Sequence, residues 1–346
     1  MKISTEEKGE FLEIKHYRLV NKGWEVFVAI YNTVYNPVLD LETSLGGARI
    51  RDYENSKDAL RDVKRLAKGM AYKNAIHNCN FGGAKAVINA NPEDKSERLF
   101  LEFGQIVEDL GGMYITAEDI GTTVEDMKVV NRKTEHVCGL AGDPSPVTAQ
   151  GVIYGLKACL DNKYEDASLE GLETLIQGVG KVGSVLAEKL DEKGAIVKIS
   201  DVDNKKIERV REEVPSVEVV DLDKVFGTKF DIFIPCAVGG VINDRTIDKL
   251  NCDIVAGAAN NPLQDQKRHA EELRQKDILY APDYVINGGG LIAVVKELQS
   301  QSGIEAAMEE VKEIRPRLER VFEISERRGI PTQKAADKLA EKKGGL

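Results

Sequence analysis

Residues 172–183 read Leu172-Glu173-Thr174-Leu175-Ile176-Gln177-Gly178-Val179-Gly180-Lys181-Val182-Gly183, and their reading decides the fold. The first six residues form an apolar strand. The next six are a G-x-G-x-x-G loop, and Val182, Val185, Leu186 and Leu190 then line one face of a helix. In such a loop the first glycine permits the tight turn, the second lets a pyrophosphate approach the backbone, and the third lets helix and strand pack closely. Gly178, Val179, Gly180, Lys181, Val182 and Gly183 are therefore expected to hold a dinucleotide, whose phosphates meet the free N–H groups of the helix start. The next strand, Ala195 to Ser200, runs into Asp201, eighteen residues after Gly183. A carboxylate there accepts hydrogen bonds from both ribose hydroxyls and repels a 2′-phosphate, so NAD is expected rather than NADP. A glycine-rich turn with Asp201 as a mere helix cap explains one glycine but not the set.

Outward from this loop, strand and helix alternate. Strands are expected at Glu173 to Gln177, Ala195 to Ser200, Val217 to Val220, Asp231 to Pro235, Asp253 to Ala256 and Ile278 to Tyr280, with helical stretches between several of them. This pattern predicts a parallel sheet covered on both faces. On the N-terminal side, Gly142-Asp143-Pro144-Ser145-Pro146 is a turn-rich hinge, followed by a helix of about Val147 to Leu160. Before the hinge, Glu25 to Thr33 reads as a strand. A helix with Ser56 as N-cap carries an apolar stripe of Ala59, Leu60, Val63, Leu66, Ala67 and Met70. Lys85 to Ala90 and Tyr114 to Thr116 read as strands, Ser96 to Leu110 and Thr122 to Arg132 as helices, and the last forty residues as charged helix.

The chain has 346 residues, with 48 Lys plus Arg against 58 Asp plus Glu, a formal net charge of −10. The length suits two domains and the negative balance argues against nucleic acid or anionic membrane as partner. No signal peptide is read in the first twenty residues, and no eighteen successive apolar residues mark a membrane span. Five widely spaced cysteines with no C-x-x-C point to reduced thiols in the cytoplasm rather than disulfides or structural zinc. His16, His77, His136 and His269 are scattered, so no metal site is expected, and Trp24 is assigned to core or interface.

Two lysines and an aspartate carry a second signal. Lys73 closes the helix that starts at Ser56, Lys85 follows Gly82-Gly83-Ala84 into a strand, and Asp119 follows a strand in Thr116-Ala117-Glu118-Asp119. A lysine introduced by small residues can sit deep, where desolvation and a nearby cation lower its pKa and make it a usable base. A carboxylate at a strand end can exchange protons with an amine. Spacing alone leaves an ordinary surface role open for each.

The stretch from Leu60 to Ala75 resembles the glutamate/leucine/phenylalanine/valine amino acid dehydrogenases. So do FGGAKAVI, YITAEDIGTTVEDM, GDPSPVTAQGV, QGVGKVG, PCAVGGVIN, GAANNPL, YAPDYVINGGG and PTQKAADKLAE, from about Leu45 to Lys343. The likeness is greater to the leucine and phenylalanine members than to glutamate dehydrogenase. It implies an α/β protein of two domains separated by a cleft that closes during hydride transfer. One domain is a mixed-sheet substrate and assembly domain (1–142 plus 324–346), the other a Rossmann-type, doubly wound NAD-binding domain (143–323). The implied reaction is reversible oxidative deamination of an L-amino acid to a 2-oxo acid and ammonium. By motif match, Lys73 would hold the substrate carboxylate, Lys85 would activate water, and Asp119 would pass protons to and from nitrogen. Gly46, Gly47, Met70, Thr148 and Val294 would line the substrate site, with Asn260 and Asn261 orienting substrate and Asn287 facing the nicotinamide ribose or carboxamide. A homo-oligomer is implied, and the strand Glu25 to Thr33 is a candidate to pair between subunits.

Three departures bear on this expectation. Ala84 stands where the family has a third glycine, Asn78-Cys79-Asn80-Phe81 is more polar than usual, and Asp40 to Leu45 replaces a Gly-Pro-Ala-like run. Glu42 in that run could select a polar or cationic amino acid instead of a branched-chain or aromatic one. A catalytically silent nucleotide-binding protein, a sensor or assembly partner, is the reading from a different class.

Overall fold

The alternation that begins at Glu173 closes into a parallel sheet, and the mixed sequence before it forms a second, separate one. The computed structural model describes residues 2–5, 9–19, 23–164, 168–299 and 303–346. The chain divides into two compact units, Met1–Gly142 with Val294–Gly303 and Ala340–Leu346, and Asp143–Ala293 with Ile304–Leu339.

The first unit holds eight strands: β1 Lys2–Thr5, β2 Glu13–Arg18, β3 Glu25–Ile30, β4 Val34–Asn36, β5 Leu41–Leu45, β6 Ala48–Arg51, β7 Gly82–Asn89 and β8 Tyr114–Ile115. Their order is β1-β2-β3-β7-β5-β4, with β6 also on β7 and β8 on β5. β3 and β7 are antiparallel, whereas β5 and β6 both run parallel to β7, so the sheet is mixed. Ser44 pairs with Gly82 and Ala48 with Ala86 in one unbroken register, which sets Gly46 and Gly47 opposite Ala84 and Lys85.

The helix Ser56–Ile76 covers one face, packing Ala59, Val63 and Ala67 on Ile14, Phe27, Ala29 and Val87. Its small residues bring it close to the strand. A Cβ on Gly83 would lie 2.2 Å from the Ala71 nitrogen, so glycine is needed there. The helices Glu97–Glu108 and Val124–Asn131 cover the other face with Leu99, Phe100, Phe103, Ile106, Val107, Met127 and Val130. Trp24 packs at the edge of this cluster.

Two sequence expectations are corrected here, and one strand is added. All six residues of β3 are buried between β2 and β7, so this strand cannot pair with another subunit; the alternation in its sequence does not mark a solvent face, because helices lie on both sides. The cap of the first helix is Asn55, whose side chain accepts from the Asp58 N–H, while the Ser56 hydroxyl donates to Glu25 at 2.6 Å. β2 was not foreseen: its Lys15, His16 and Arg18 hide it, yet His16 stacks on Phe27 at 4.2 Å and reaches Glu25 at 3.0 Å, so the polar groups find partners.

The second unit carries β9 Glu173–Gln177, β10 Ile196–Ser200, β11 Glu218–Val219, β12 Ile232–Pro235, β13 Ile254–Val255 and β14 Leu279–Tyr280. All five pairings are parallel, in the order β11-β10-β9-β12-β13-β14. This is the doubly wound arrangement, and the chain reverses direction across the sheet between β9 and β12. Ligands of such sheets bind outside the strand ends at that switch. The helix Ile314–Arg328 packs along Ser145–Lys163, where a Cβ on Gly155 would lie 3.0 Å from a Leu318 methyl. That seam explains why residues 324–339 group with this unit, while only the last seven residues and Val294–Gly303 group with the first. Among the described residues no helix is long and apolar enough to cross a membrane.

Candidate active site

The first unit's site grows from β5 and β6, which follow one another along β7. Lys85 lies in the middle of β7 and is 5% exposed, and Asp119 lies in the loop after β8. That loop is drawn along β6 by backbone bonds from Ala48 N to Ala117 O (2.8 Å) and from Ile50 N to Ile120 O (3.1 Å). Thr122 pins its turn: the hydroxyl donates to Ala48 O at 2.9 Å and accepts from Asp119 N at 2.9 Å. Lys85 Nζ and Asp119 Oδ1 end 3.2 Å apart.

The floor is backbone. A Cβ on Gly46 would lie 1.7 Å from Ala84 O and 3.3 Å from Met70 Cγ, and one on Gly47 would lie 2.5 Å from Glu118 O and 3.0 Å from Asp119 Cβ. Met70 and Lys73 are one turn apart on the helix Ser56–Ile76, so they share a face. Val294 is held in this unit, 3.7 Å from a Cβ placed on Gly139. Glu42 is exposed, opposite Tyr35 on the outer strand pair β4–β5.

Burial pushes the Lys85 ammonium below the ordinary lysine range; the Asp119 carboxylate pulls against this and the Arg49 guanidinium adds to it. For Asp119, burial alone would raise the carboxyl, but Lys85 and Arg49 outweigh it and hold the group below the ordinary carboxylate range. The site thus holds an ionised carboxylate beside an amine inclined to lose its proton, a pairing suited to moving protons at neutral to alkaline pH. Sequence reading missed Arg49, which donates to Asp119 Oδ2 at 2.8 Å, and Asp62, which accepts from Arg49 at 3.1 Å. The available signal was an arginine inside the otherwise apolar triplet Ala48-Arg49-Ile50, two residues after the glycine pair.

The second unit's site is the glycine loop. Gly178 has φ +99°, and its Cβ would lie 2.6 Å from the Ala237 methyl, beyond the end of β12. A Cβ on Gly183 would lie 2.0 Å from Gly178 O. Gly180 has open space where a Cβ would stand, and no side chain caps the helix Lys181–Asp191 that follows it. The open approach and uncapped N–H groups are what a pyrophosphate needs. Asp201 closes the loop, accepting from Val179 N at 2.8 Å through one oxygen and from Asp203 N at 2.9 Å through the other. Beneath it, the buried atoms Gln177 Oε1 and Ser200 Oγ, neighbours in register on β9 and β10, have no partner. These features fit a dinucleotide. Lys181 is exposed, its ammonium 3.8 Å from Asp143.

Beyond β13, Asn287 donates to Asn260 Oδ1 at 2.8 Å and to Ala258 O at 3.2 Å. Asn261 takes φ +51°, its N–H donating to the buried Asp283 at 2.7 Å. Thr148 borders Gly290, whose Cβ would lie 3.3 Å from Oγ1. The structure therefore brings Lys85, Asp119, Gly46, Gly47 and Met70 together in one unit, and joins Asn287 to Asn260 in the other. Among the described residues no group of His, Cys, Asp and Glu side chains is placed to hold a metal ion.

Residues 139–343 match the family model described as "Glutamate/Leucine/Phenylalanine/Valine dehydrogenase", and residues 14–136 match "Glu/Leu/Phe/Val dehydrogenase, dimerisation domain". The chain is 42% identical over 344 residues to leucine dehydrogenase of Bacillus subtilis (strain 168), covering 97% of this chain and 92% of that protein. It is 41% identical over 331 residues to phenylalanine dehydrogenase of Lysinibacillus sphaericus, covering 92% and 85%. The crystal structure of L-tryptophan dehydrogenase from Nostoc punctiforme superposes with a TM-score of 0.83 at 36% identity, covering 97% of this chain and 96% of that one.

Proposed function

This chain belongs to the glutamate/leucine/phenylalanine/valine dehydrogenase family, and from that membership we infer an NAD-dependent L-amino acid dehydrogenase that oxidatively deaminates its substrate to a 2-oxo acid and ammonium, reversibly. The observation that carries the chemistry is the buried Lys85–Asp119 pair on a glycine floor. Relatives named for leucine, phenylalanine and tryptophan support a branched-chain or aromatic substrate for this chain.

Bound NAD⁺ supplies the acceptor for the electron pair of the substrate's Cα–H bond. Asp119 takes the proton that the α-amino group releases. Lys85, as the free amine, takes a proton from the water that adds to the imine carbon and as the ammonium steadies the carbinolamine. Lys85 then passes its proton to solvent and, again as the free amine, takes the carbinolamine hydroxyl proton while Asp119 returns a proton to nitrogen; the C–N bond breaks, ammonia leaves and the 2-oxo acid remains. Lys73 holds the substrate carboxylate as a fixed cation, with Gly46, Gly47, Met70 and Val294 lining the substrate's place in the first unit. Thr148, Asn260 and Asn261 orient the substrate, and Asn287 meets the nicotinamide ribose or carboxamide. Gly178 to Gly183 cradle the pyrophosphate, and Asp201 accepts from the adenosine ribose. The unit Met1–Gly142 with Val294–Gly303 and Ala340–Leu346 serves substrate and assembly, and the unit Asp143–Ala293 with Ile304–Leu339 serves NAD. The N-terminal match to a dimerisation domain supports a homo-oligomer, and five cysteines without disulfides suit the cytoplasm.

A panel of 2-oxo acids with ammonium and NADH, followed at the NADH absorbance band, tests the reading. The oxo acids of Leu, Val, Ile, Phe and Trp are expected to give the highest kcat/KM. A preference for the oxo acids of basic amino acids would transfer the choice to Glu42, and no turnover with any of them would leave a silent nucleotide-binding protein.

Asp201 offers a separate check on the cofactor. Replacement by Ser or Ala removes a charged acceptor worth about 1.5–3 kcal/mol, so the NAD over NADP ratio of kcat/KM is expected to narrow by ~10- to 100-fold. An unchanged ratio would contradict the ribose contact.

A further inference from the structure

We propose that Arg49, anchored by Asp62, is the positioning residue of the Lys85–Asp119 pair: it is the lasting counter-ion of Asp119, and thereby lets Lys85 release its proton without leaving a buried carboxylate alone. The inference rests on the reading of that pair as the proton-transfer centre.

The geometry is a divided carboxylate. Lys85 approaches Asp119 Oδ1 at 3.2 Å, and Arg49 Nε donates to Oδ2 at 2.8 Å. A buried carboxylate with lysine as its one cation would hold that lysine protonated, because discharging the amine would strand the anion. Here the second oxygen is already bound to a guanidinium, a group that keeps its charge at any working pH. Asp119 therefore has a partner in both protonation states of Lys85.

Arg49 is itself held in place. It is 8% exposed, and its Nη1 donates to Asp62 Oδ2 at 3.1 Å. Tyr53 donates to the same oxygen at 2.6 Å, and Arg65 Nη2 donates to Asp62 Oδ1 at 2.8 Å. The planar fork of Arg49 thus spans two carboxylates on two elements, the helix Ser56–Ile76 and the loop after β8, which a lysine could not do. The charges count as two carboxylates, Asp119 and Asp62, against Arg49, Arg65 and Lys85. The set is balanced when Lys85 is neutral and carries one cation in excess when it is protonated. The ionisable groups acting on Lys85 from neighbouring elements are Asp119 in the loop after β8, Arg49 on β6 and Asp62 on the helix; Lys73 lies in the last turn of that same helix.

The test reads Lys85 directly and needs no turnover. In the full-length protein labelled with ¹³Cε-lysine, the Lys85 signal is identified by its loss in Lys85→Met and titrated with pH. In Arg49→Gln the midpoint is expected to rise by about one pH unit or more. In Arg49→Lys, which keeps the charge, it is expected to return towards the wild-type value. In Asp62→Asn, which removes an anion and leaves Arg49 to Asp119, it is expected to fall. A purely structural role for Arg49 would lower the melting temperature in all three without moving the midpoint, and an unmoved midpoint in Arg49→Gln overturns the proposal. Should Arg49→Gln not fold, Asp62→Asn decides: a midpoint that rises or stays overturns it. If the midpoints move as expected and no amino acid yields NADH, the assigned reaction fails and the role of Arg49 stands.

Discussion

Lys85→Ala is expected to lower kcat for oxidative deamination by about 10³-fold, within the range that a positioned general acid–base supplies, while the Kd for NAD⁺ changes little. The loss is large because no other group can replace the amine. Burial draws it below the ordinary lysine range, so it gives up its proton more readily than a surface lysine does. The same argument fixes the sign of the pH dependence in the wild type. Oxidative deamination needs the unprotonated amine, so its kcat/KM is expected to rise with pH along an acidic limb below the ordinary lysine range. The variant should still fold. Removing the amine leaves Asp119 bonded to Arg49, so no buried carboxylate is orphaned. The glycine loop belongs to the second unit and its own sheet, so dinucleotide affinity, measured by fluorescence titration, is expected to survive. A variant with kcat within tenfold of wild type would show that Lys85 is not the base.

The second unit was legible in the sequence because its signals are local. Strand, glycine loop, helix and terminal aspartate lie within thirty residues, and each strand of a doubly covered parallel sheet announces itself as an apolar run. Gly178 takes φ +99° at the turn, a Cβ on Gly183 would lie 2.0 Å from Gly178 O, and Gly180 has open space, which are the local demands the motif reading made of its three glycines. The first unit was legible only in part. Lys85 and Asp119 could be named, but their 3.2 Å approach depends on β5 and β6 lying parallel to β7, a pairing across nearly forty residues that no local pattern reports. Strand β5, Leu-Glu-Thr-Ser-Leu, is polar in its middle, yet Thr43 and Ser44 are buried and donate to Gly112 O and Met113 O at 2.7 and 2.5 Å. Arg49 escaped for the same reason. Its partners are distant in sequence, and a single arginine in a strand ordinarily signals solvent. The interior position of β3 was hidden because the helices that bury its second face come more than twenty-five residues later.

The glycine pair opposite Lys85 gives the second large effect. A methyl group at position 46 would lie 1.7 Å from Ala84 O, well inside contact distance, and the atom it meets is backbone of the central strand rather than a movable side-chain end. Either β5 or β7 must yield. Gly46→Ala is therefore expected to cost about 3 kcal/mol, the upper part of the usual overpacking range, and to lower Tm by ~6–12 °C. Because the displaced carbonyl immediately precedes Lys85, kcat is expected to fall as well, by ~10²-fold for a shift approaching 1 Å. Gly69 provides the contrast on the neighbouring helix Ser56–Ile76. A Cβ there meets nothing within 4 Å, and the residue is exposed. Gly69→Ala is expected to raise stability by up to ~1 kcal/mol through helix propensity, with kcat unchanged. Differential scanning calorimetry and NADH absorbance on the two variants separate the cases. If Gly46→Ala melted and turned over like the wild type, the close approach of β5 to β7 would not be what sets Lys85 in place.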